Sequence, residues 1–203
     1  NMDNLQKVNK RILDAARMLK VKTVMWGECG HAWRAGIYTN TLNGPMDEFD
    51  PPYPYHISQF TVTMLRKGAF NGKLDKSAND QYVVTYHDPC NPARAGQLIE
   101  EPREILRACV NNFVEMPPNT IREKTCCCGG GGGGMWLETD IATRINHRRL
   151  AEALDTGAEL VATACPYCLL MFDDAIRSKG LGDKVKVMDV TEILAMGLPA
   201  KAQ

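Results

Sequence analysis

The sequence predicts an α/β fold built on mostly parallel sheets, and three observations carry that prediction. Short apolar runs of strand length alternate with segments of helical period. The cysteines gather just past the ends of those apolar runs. Two stretches of the chain also repeat one another, which is expected of stacked strand–helix units.

The elements follow in order. Leu5, Val8, Ile12, Ala16 and Leu19 recur at helical spacing, and Val21 to Trp26 reads as a strand. A loop rich in Gly, Pro and Tyr (Gly44 to Tyr55) precedes a helix from about Ser58 to Lys67. Within it, Pro51 to Tyr55 reads either as a partner contact or as a rigid connection. Tyr82 to Tyr86 is the next strand, and Asp88-Pro89 has the form of an N-cap followed by proline at the first helical position. A helix bearing Ile105, Leu106, Cys109 and Val110 leads to a strand over Phe113 to Met116, with Cys109 on the core face. A long helix with Leu137, Ile141, Ile145, Leu150 and Leu154 follows the glycine run, its His147, Arg148 and Arg149 on a solvated face. Strand Glu159 to Ala164, helix Leu169 to Lys179, strand Lys184 to Met188 and a short helix complete the chain. Strands alternating with helices in this way give Rossmann-like parallel sheets flanked by helices.

The repeat pairs the segment from Asp3 through Cys29 to Lys67 with that from Asp140 through Cys165 to Met196. It sets His56 against Asp189 and Ser58 against Thr191. Residues 1–79 therefore read as part of a first α/β lobe with a degenerate cysteine motif, and residues 80–203 as a complete lobe. The first copy lacks a counterpart of residues 80 to 135, so the rest of the first lobe is expected upstream; Asn1 in place of Met reads as a tagged chain or a fragment.

Composition narrows the function. Hydrophobic residues make up 44% and charged residues 24%, as in an ordinary globular protein. Lys plus Arg equals Asp plus Glu at 24 each, which argues against a nucleic-acid footprint. The N-terminus lacks an apolar signal core, and no apolar stretch approaches the roughly 18 residues of a membrane span. A cytoplasmic protein is expected. In a reducing compartment its eight cysteines are metal ligands or redox groups rather than disulfides.

Cys90, Cys126 to Cys128, and Cys165 with Cys168 each follow a strand, and in an open parallel sheet the carboxyl ends face one crevice. Thirty-six residues separate Cys90 from Cys127, and thirty-six separate Cys128 from Cys165, enough each time for one excursion back to the same edge. Converging thiolates bind zinc or iron–sulfur clusters. A single C-x-x-C knuckle opposite consecutive cysteines favours a multi-metal cluster over one zinc, although a zinc-stabilised scaffold or binding module remains the rival. The run Gly129 to Gly134 lets backbone approach an inorganic core and offer N–H groups to it. A phosphate cradle is the other reading of that run, but it lacks the Lys-Ser/Thr of a P-loop.

Cys90, the pair Cys127-Cys128 followed by Gly129, and Cys165-x-x-Cys168 resemble the cysteine-rich CCG domain found in heterodisulfide reductase. The same domain occurs in glycolate oxidase and lactate-utilisation iron–sulfur subunits and in membrane-associated sulfite-reduction complexes. The likeness covers residues 80 to 196. Gly27 to Arg34 resembles the degenerate first-motif loop of the sulfite-reduction subunits, with Ala32 where a second knuckle cysteine would stand.

The resemblance implies one 4Fe–4S cluster, of the noncubane type, on Cys90, Cys127, Cys128, Cys165 and Cys168; a conventional cubane with a cysteine left over is the alternative. Cys126 departs from the family's pair. Gly129, Gly130, Gly131 and Tyr167 would surround the cluster, Tyr167 as a cover or hydrogen-bond donor. His31 and His87 flank the crevice as proton donors, Glu28 is a weaker acid–base candidate, and Cys29 is a substrate-facing or spare thiol. The implied activity is an oxidoreductase that relays single electrons to a disulfide or another two-electron acceptor. Its partners would be other iron–sulfur or flavin redox subunits and a quinone-reactive membrane subunit.

Overall fold

A computed structural model of the chain describes residues 2–43, 48–51, 54–137, 140 and 144–199, with the backbone alone for 39–43. Its elements are α1 (Met2–Met18), β1 (Met25–Trp26), α2 (Gly30–Asn43), β2 (Tyr55–His56), α3 (Ile57–Arg66), β3 (Val84–His87), α4 (Glu100–Cys109) and β4 (Phe113–Val114). They continue with α5 (Ile145–Leu154), β5 (Leu160–Thr163), α6 (Pro166–Ser178), β6 (Lys186–Asp189) and α7 (Val190–Met196). The strands form two sheets, β1-β2 and β4-β3-β5-β6, and every pairing is parallel. This is the α/β architecture of parallel sheets and flanking helices that the sequence predicts.

The larger sheet is covered on both faces because successive side chains in a strand point to opposite sides. Leu160 and Ala162 of β5 join Val84 and Tyr86 of β3 in a core closed by Ile105, Leu106 and Cys109 of α4 and Ile193 of α7. Val161 points the other way, into a second core with Leu150 and Ala153 of α5 and Phe172, Ala175 and Ile176 of α6. All four residues of β3 and all four of β5 are buried, as parallel strands between helical layers must be. Cys109 is wholly buried, and burial pushes its thiol up to about 12, so it is a core residue.

Several boundaries differ from the sequence reading, each for a local reason. The first strand shrinks to Met25–Trp26, and Val21 is exposed, because only β2 pairs with it. Helix α2 is absent from the sequence reading; its buried stripe is Gly30, Trp33 and Gly36, which carries almost no hydrophobic signal. The long helix after the glycine run starts only at Ile145, with Leu137 exposed ahead of it and Ile141 outside the described residues. The His147-Arg148-Arg149 face is not solvated as a whole: only Arg148 faces solvent, while His147 and Arg149 are buried. Asp88 does not cap a helix. Its carboxylate takes both Nη atoms of fully buried Arg103 at 2.7 and 2.8 Å and the Arg122 amide at 2.8 Å. The Gly44–Tyr55 loop lies partly outside the described residues; of its remainder, Phe49 is buried against Leu13 and Ala16.

Candidate metal centre

Strands β3 and β5 deliver the site from the middle of the larger sheet. Just beyond β3 the chain runs through Asp88 and Pro89 to Cys90, and the Asp88–Arg103 pair pins that turn. Arg103 also donates to Glu115 at 2.7 and 3.1 Å, so the end of β3 is tied to α4 and to the residue after β4. Beyond β5, Cys165 is the N-cap of α6 and Pro166 occupies its first turn. The helix therefore begins three residues earlier than the sequence suggests, and Cys168 sits in that first turn, turned back toward Cys165. The triplet Cys126 to Cys128 arrives from an irregular segment after β4 and leads directly into the glycines.

Five sulfurs meet at this edge. Cys90 bonds to Cys127, Cys127 to Cys128, Cys128 to Cys168 and Cys168 to Cys165, a continuous chain of thiol contacts. The Cys168 and Cys128 sulfurs stand 3.3 Å apart. All eight cysteines carry free thiols. Cys126 lines a neighbouring cleft with Cys127, Arg94, Arg148, Arg149 and Glu152, and is not among the residues around the cavity of the five. Between the five lies a cavity of about 230 Å³, whose walls include Gly30, His31, Gly131, Gly132 and Tyr167 but not Cys29.

The electrostatics follow from the contacts. Hydrogen bonds from the Cys128 and Cys90 thiols, with the Gly129 and Gly131 amides, hold the Cys127 thiol far below the ordinary range. Cys165 falls to about 6, first through the Cys168 thiol and then through the amides of Gly30, Cys168 and Tyr167. Their neighbours move the other way: Cys128 rises to about 12, and Cys90 and Cys168 rise as well, each mainly through its bond to an adjoining sulfur. The thiols and amides around Cys127 and Cys165 thus favour negative charge on those two sulfurs over their neighbours.

The glycines act as expected of a close backbone approach. Gly129 has φ +89°, a left-handed conformation that aims its amide at Cys127 Sγ, 3.3 Å away. A Cβ on Gly30 would lie 2.6 Å from Pro92 Cδ, so only glycine lets the start of α2 close on the Cys90 turn. Gly130 donates its amide to Cys128. His31 and Tyr167 pack edge to face with ring centroids 5.1 Å apart at the cavity wall, His31 being the more exposed. Cys29 is half-buried, and its carbonyl starts α2 by accepting from Trp33.

His87 lies deeper than the rim position expected of it. It is fully buried, and burial together with Arg149 keeps its imidazole neutral well below the usual histidine range. That suits a hydrogen-bonding ring better than one that ferries protons to solvent. A ring nitrogen of His87 and the sulfurs of Cys128 and Cys168 lie within 4.8 Å of one another, all three residues buried. Arg149 and the Gly30 amide are the participants that sequence reasoning missed. Arginine on an amphipathic helix reads as surface, and a backbone amide leaves no mark in composition.

Thiols with amide donors behind them, beside the buried His87 ring whose Nε2 has no hydrogen-bond partner among the described residues, suit a thiophilic metal or iron–sulfur core. The fold and this cluster define a class: an α/β domain that presents a sulfur-rich centre at the carboxyl edge of a parallel sheet. Within that class, residues 84–173 match the family described as the cysteine-rich domain CCG, and this stretch of the chain belongs to it. The chain is similar to an Hdr-like menaquinol oxidoreductase iron-sulfur subunit of Archaeoglobus profundus, 36% identical over 149 residues, which are 59% of this chain and 26% of that protein. It is also similar to a probable iron-sulfur-binding oxidoreductase, FadF, of Bacillus subtilis, 37% identical over 145 residues, 71% of this chain and 20% of that one. A third relative is a subunit of the dihydromethanophenazine:CoB–CoM heterodisulfide reductase of Methanosarcina acetivorans, 35% identical over 145 residues, 70% of this chain and 33% of that one. The aligned region is thus a third or less of each relative.

Proposed function

We propose that the chain is an iron–sulfur oxidoreductase domain whose Cys90, Cys127, Cys128, Cys165 and Cys168 hold one 4Fe–4S cluster of the noncubane type. The reading rests on one observation above all, the unbroken contact of those five sulfurs around a single cavity. Five thiols exceed the four that close a structural zinc site. Three relatives whose names describe iron–sulfur or heterodisulfide reductase proteins support it. When bound, such a cluster takes up and releases single electrons.

The chain's own residues supply the rest. Gly129, Gly130, Gly131 and Gly30 donate amides to the ligating sulfurs and so disperse their negative charge. Tyr167 and His31 cover the opening, and His31, at the solvent side, relays protons from solvent to a reduced acceptor, one with each electron. A disulfide acceptor takes two electrons and two protons to give two thiols, so two successive single-electron deliveries complete one turnover. Cys29 stands outside the cavity and serves the acceptor's approach rather than the metal. On the same reading the chain divides into a partial lobe, residues 1–79, and a complete lobe, residues 80–203, that carries the centre. Among the described residues no helix is long and apolar enough to cross a membrane. The donor clusters or flavin and any quinone-reactive membrane subunit lie on partner chains or elsewhere in a longer protein, and the domain works on the cytoplasmic side.

Anaerobic iron and acid-labile sulfide quantification, with EPR after addition of a thiol, tests this. The expected result is four iron and four sulfide per chain and a paramagnetic thiol-bound state. Stoichiometric zinc without colour would replace the reading with a structural scaffold.

A further inference from the structure

We infer that His87 donates a hydrogen bond to the sulfur centre from Nε2, held in that role by Arg149, and that it is not itself a metal ligand. This rests on the reading that the five thiols hold a cluster, and it adds a positioning pair to that site.

The tautomer follows from a donor count. Arg149 Nε lies 3.0 Å from His87 Nδ1, and a guanidinium has only N–H donors. His87 Nδ1 must therefore present its lone pair. In a neutral imidazole the one remaining proton is then on Nε2. A nitrogen that carries a proton has no lone pair to give to iron. With Nδ1 taken up by Arg149, the nitrogen left to face Cys128 and Cys168 is Nε2, a donor beside two sulfurs and not a third ligand.

The surroundings fix that ring from several sides. The His87 carbonyl accepts from Thr163 Oγ1 at 3.4 Å across the β3–β5 pair, and Phe172 packs edge-on with ring centroids 5.0 Å apart. Arg149 is itself anchored, because its Nη1 donates to Glu152 at 2.5 Å. Glu152, Arg149 and His87 form a line from the helix surface to the sulfurs.

Nε2 has no hydrogen-bond partner among the described residues, which is costly for a buried N–H. Metal binding removes protons from thiols. Cys128 and Cys168 then lose their S–H donors and are left as acceptors only, beside the His87 ring. A donor beside cluster sulfur stabilises the more negative, reduced state and raises the potential.

The decisive experiment begins with the metal-free chain, uniformly labelled with ¹⁵N. A long-range ¹⁵N–¹H correlation spectrum should show His87 protonated at Nε2 and bare at Nδ1, with this preference lost in Arg149→Met. A proton on Nδ1, or a bare Nε2, would overturn the assignment. The second stage is an EPR-monitored potential titration of the chain loaded anaerobically with iron and sulfide. His87→Leu should lower the midpoint by about a tenfold change in the one-electron equilibrium, ~59 mV. His87→Gln, which keeps an N–H at nearly the same place, should recover most of that loss. Equal shifts in both variants, or none in His87→Leu, would refute the donor role. Should His87→Leu fail to take up iron, Arg149→Met carries the same comparison of potentials. If the wild-type chain binds no iron, the cluster reading fails, and the tautomer in the metal-free protein still upholds or overturns the donor geometry.

Discussion

Two units of this chain share a plan and differ in chemistry: β1–α2–β2–α3 near the N-terminus and β5–α6–β6–α7 near the C-terminus. In each, two parallel strands flank a helix, and the second strand runs directly into another helix through a capping box. His56 Nδ1 accepts from the Ser58 amide at 3.1 Å while Gln59 reaches back to the His56 amide at 3.0 Å. Asp189 and Glu192 do the same at 2.7 and 2.8 Å. The loop after the first strand of each unit diverges. In the C-terminal unit it is Cys165-Pro166-Tyr167-Cys168, and both thiols join the sulfur centre. In the N-terminal unit it is Cys29-Gly30-His31-Ala32, which sends the same centre an amide and an imidazole ring instead. The same strand–helix frame thus carries two ligand-type thiols in one unit and a wall for the same cavity in the other.

The sharpest way to break this comparison is to give the N-terminal loop a second cysteine. We expect Ala32→Cys to leave iron and sulfide per chain unchanged, because five thiols already surround the cavity that Gly30 and His31 border. A doubling of iron per chain would show that the N-terminal loop is a site waiting for one thiol. Burial sets the next largest contrast. Arg103→Met leaves the Asp88 carboxylate buried without a counter-charge, and should cost about 3–5 kcal/mol in urea unfolding of the metal-free chain. The exposed Arg17–Glu48 pair beside the N-terminal unit should tolerate Arg17→Met without a resolvable change.

The two caps should also titrate in opposite directions. Burial lowers His56 from 6.5 to about 4, so the unfolded chain binds more protons in that window and stability rises with pH from 4 to 6.5. Burial raises Asp189 from 3.8 to about 6, so the folded chain binds more protons there and stability falls as pH rises toward 6. Each contribution is at most about 3 kcal/mol. Urea midpoints at pH 4.5 and 6.5 should show a flattened rise in His56→Asn and a steepened one in Asp189→Asn. Identical profiles for the two variants would mean that burial does not govern both caps. The smallest effect concerns the wall: Gly30→Ala places a Cβ 2.6 Å from Pro92 Cδ and should cost about 1–3 kcal/mol, with reduced iron retention.

What the sequence reveals tracks how each signal arises. Strands β3 and β5 are legible because parallel strands buried on both faces are continuous apolar runs. The thiols are legible because a strand end followed by cysteine fixes where a side chain must fall. Helix α2 is hidden since two of the three residues it buries are glycine. Arg149 is hidden since its helix gives no sign that its guanidinium turns inward to His87. Asp88-Pro89 misleads because a buried arginine fifteen residues later claims the carboxylate that sequence assigns to a cap. Local patterns survive translation into structure; pairings between distant charged groups do not announce themselves.

One set of substitutions tests the central assignment most directly: iron content after anaerobic loading of the wild-type chain and of single Cys→Ser variants. Loss of iron is expected for each of Cys90, Cys127, Cys128, Cys165 and Cys168, with full retention for Cys126 and Cys29. Retention in any of the five, or loss in Cys126→Ser, would contradict a centre built on those sulfurs together.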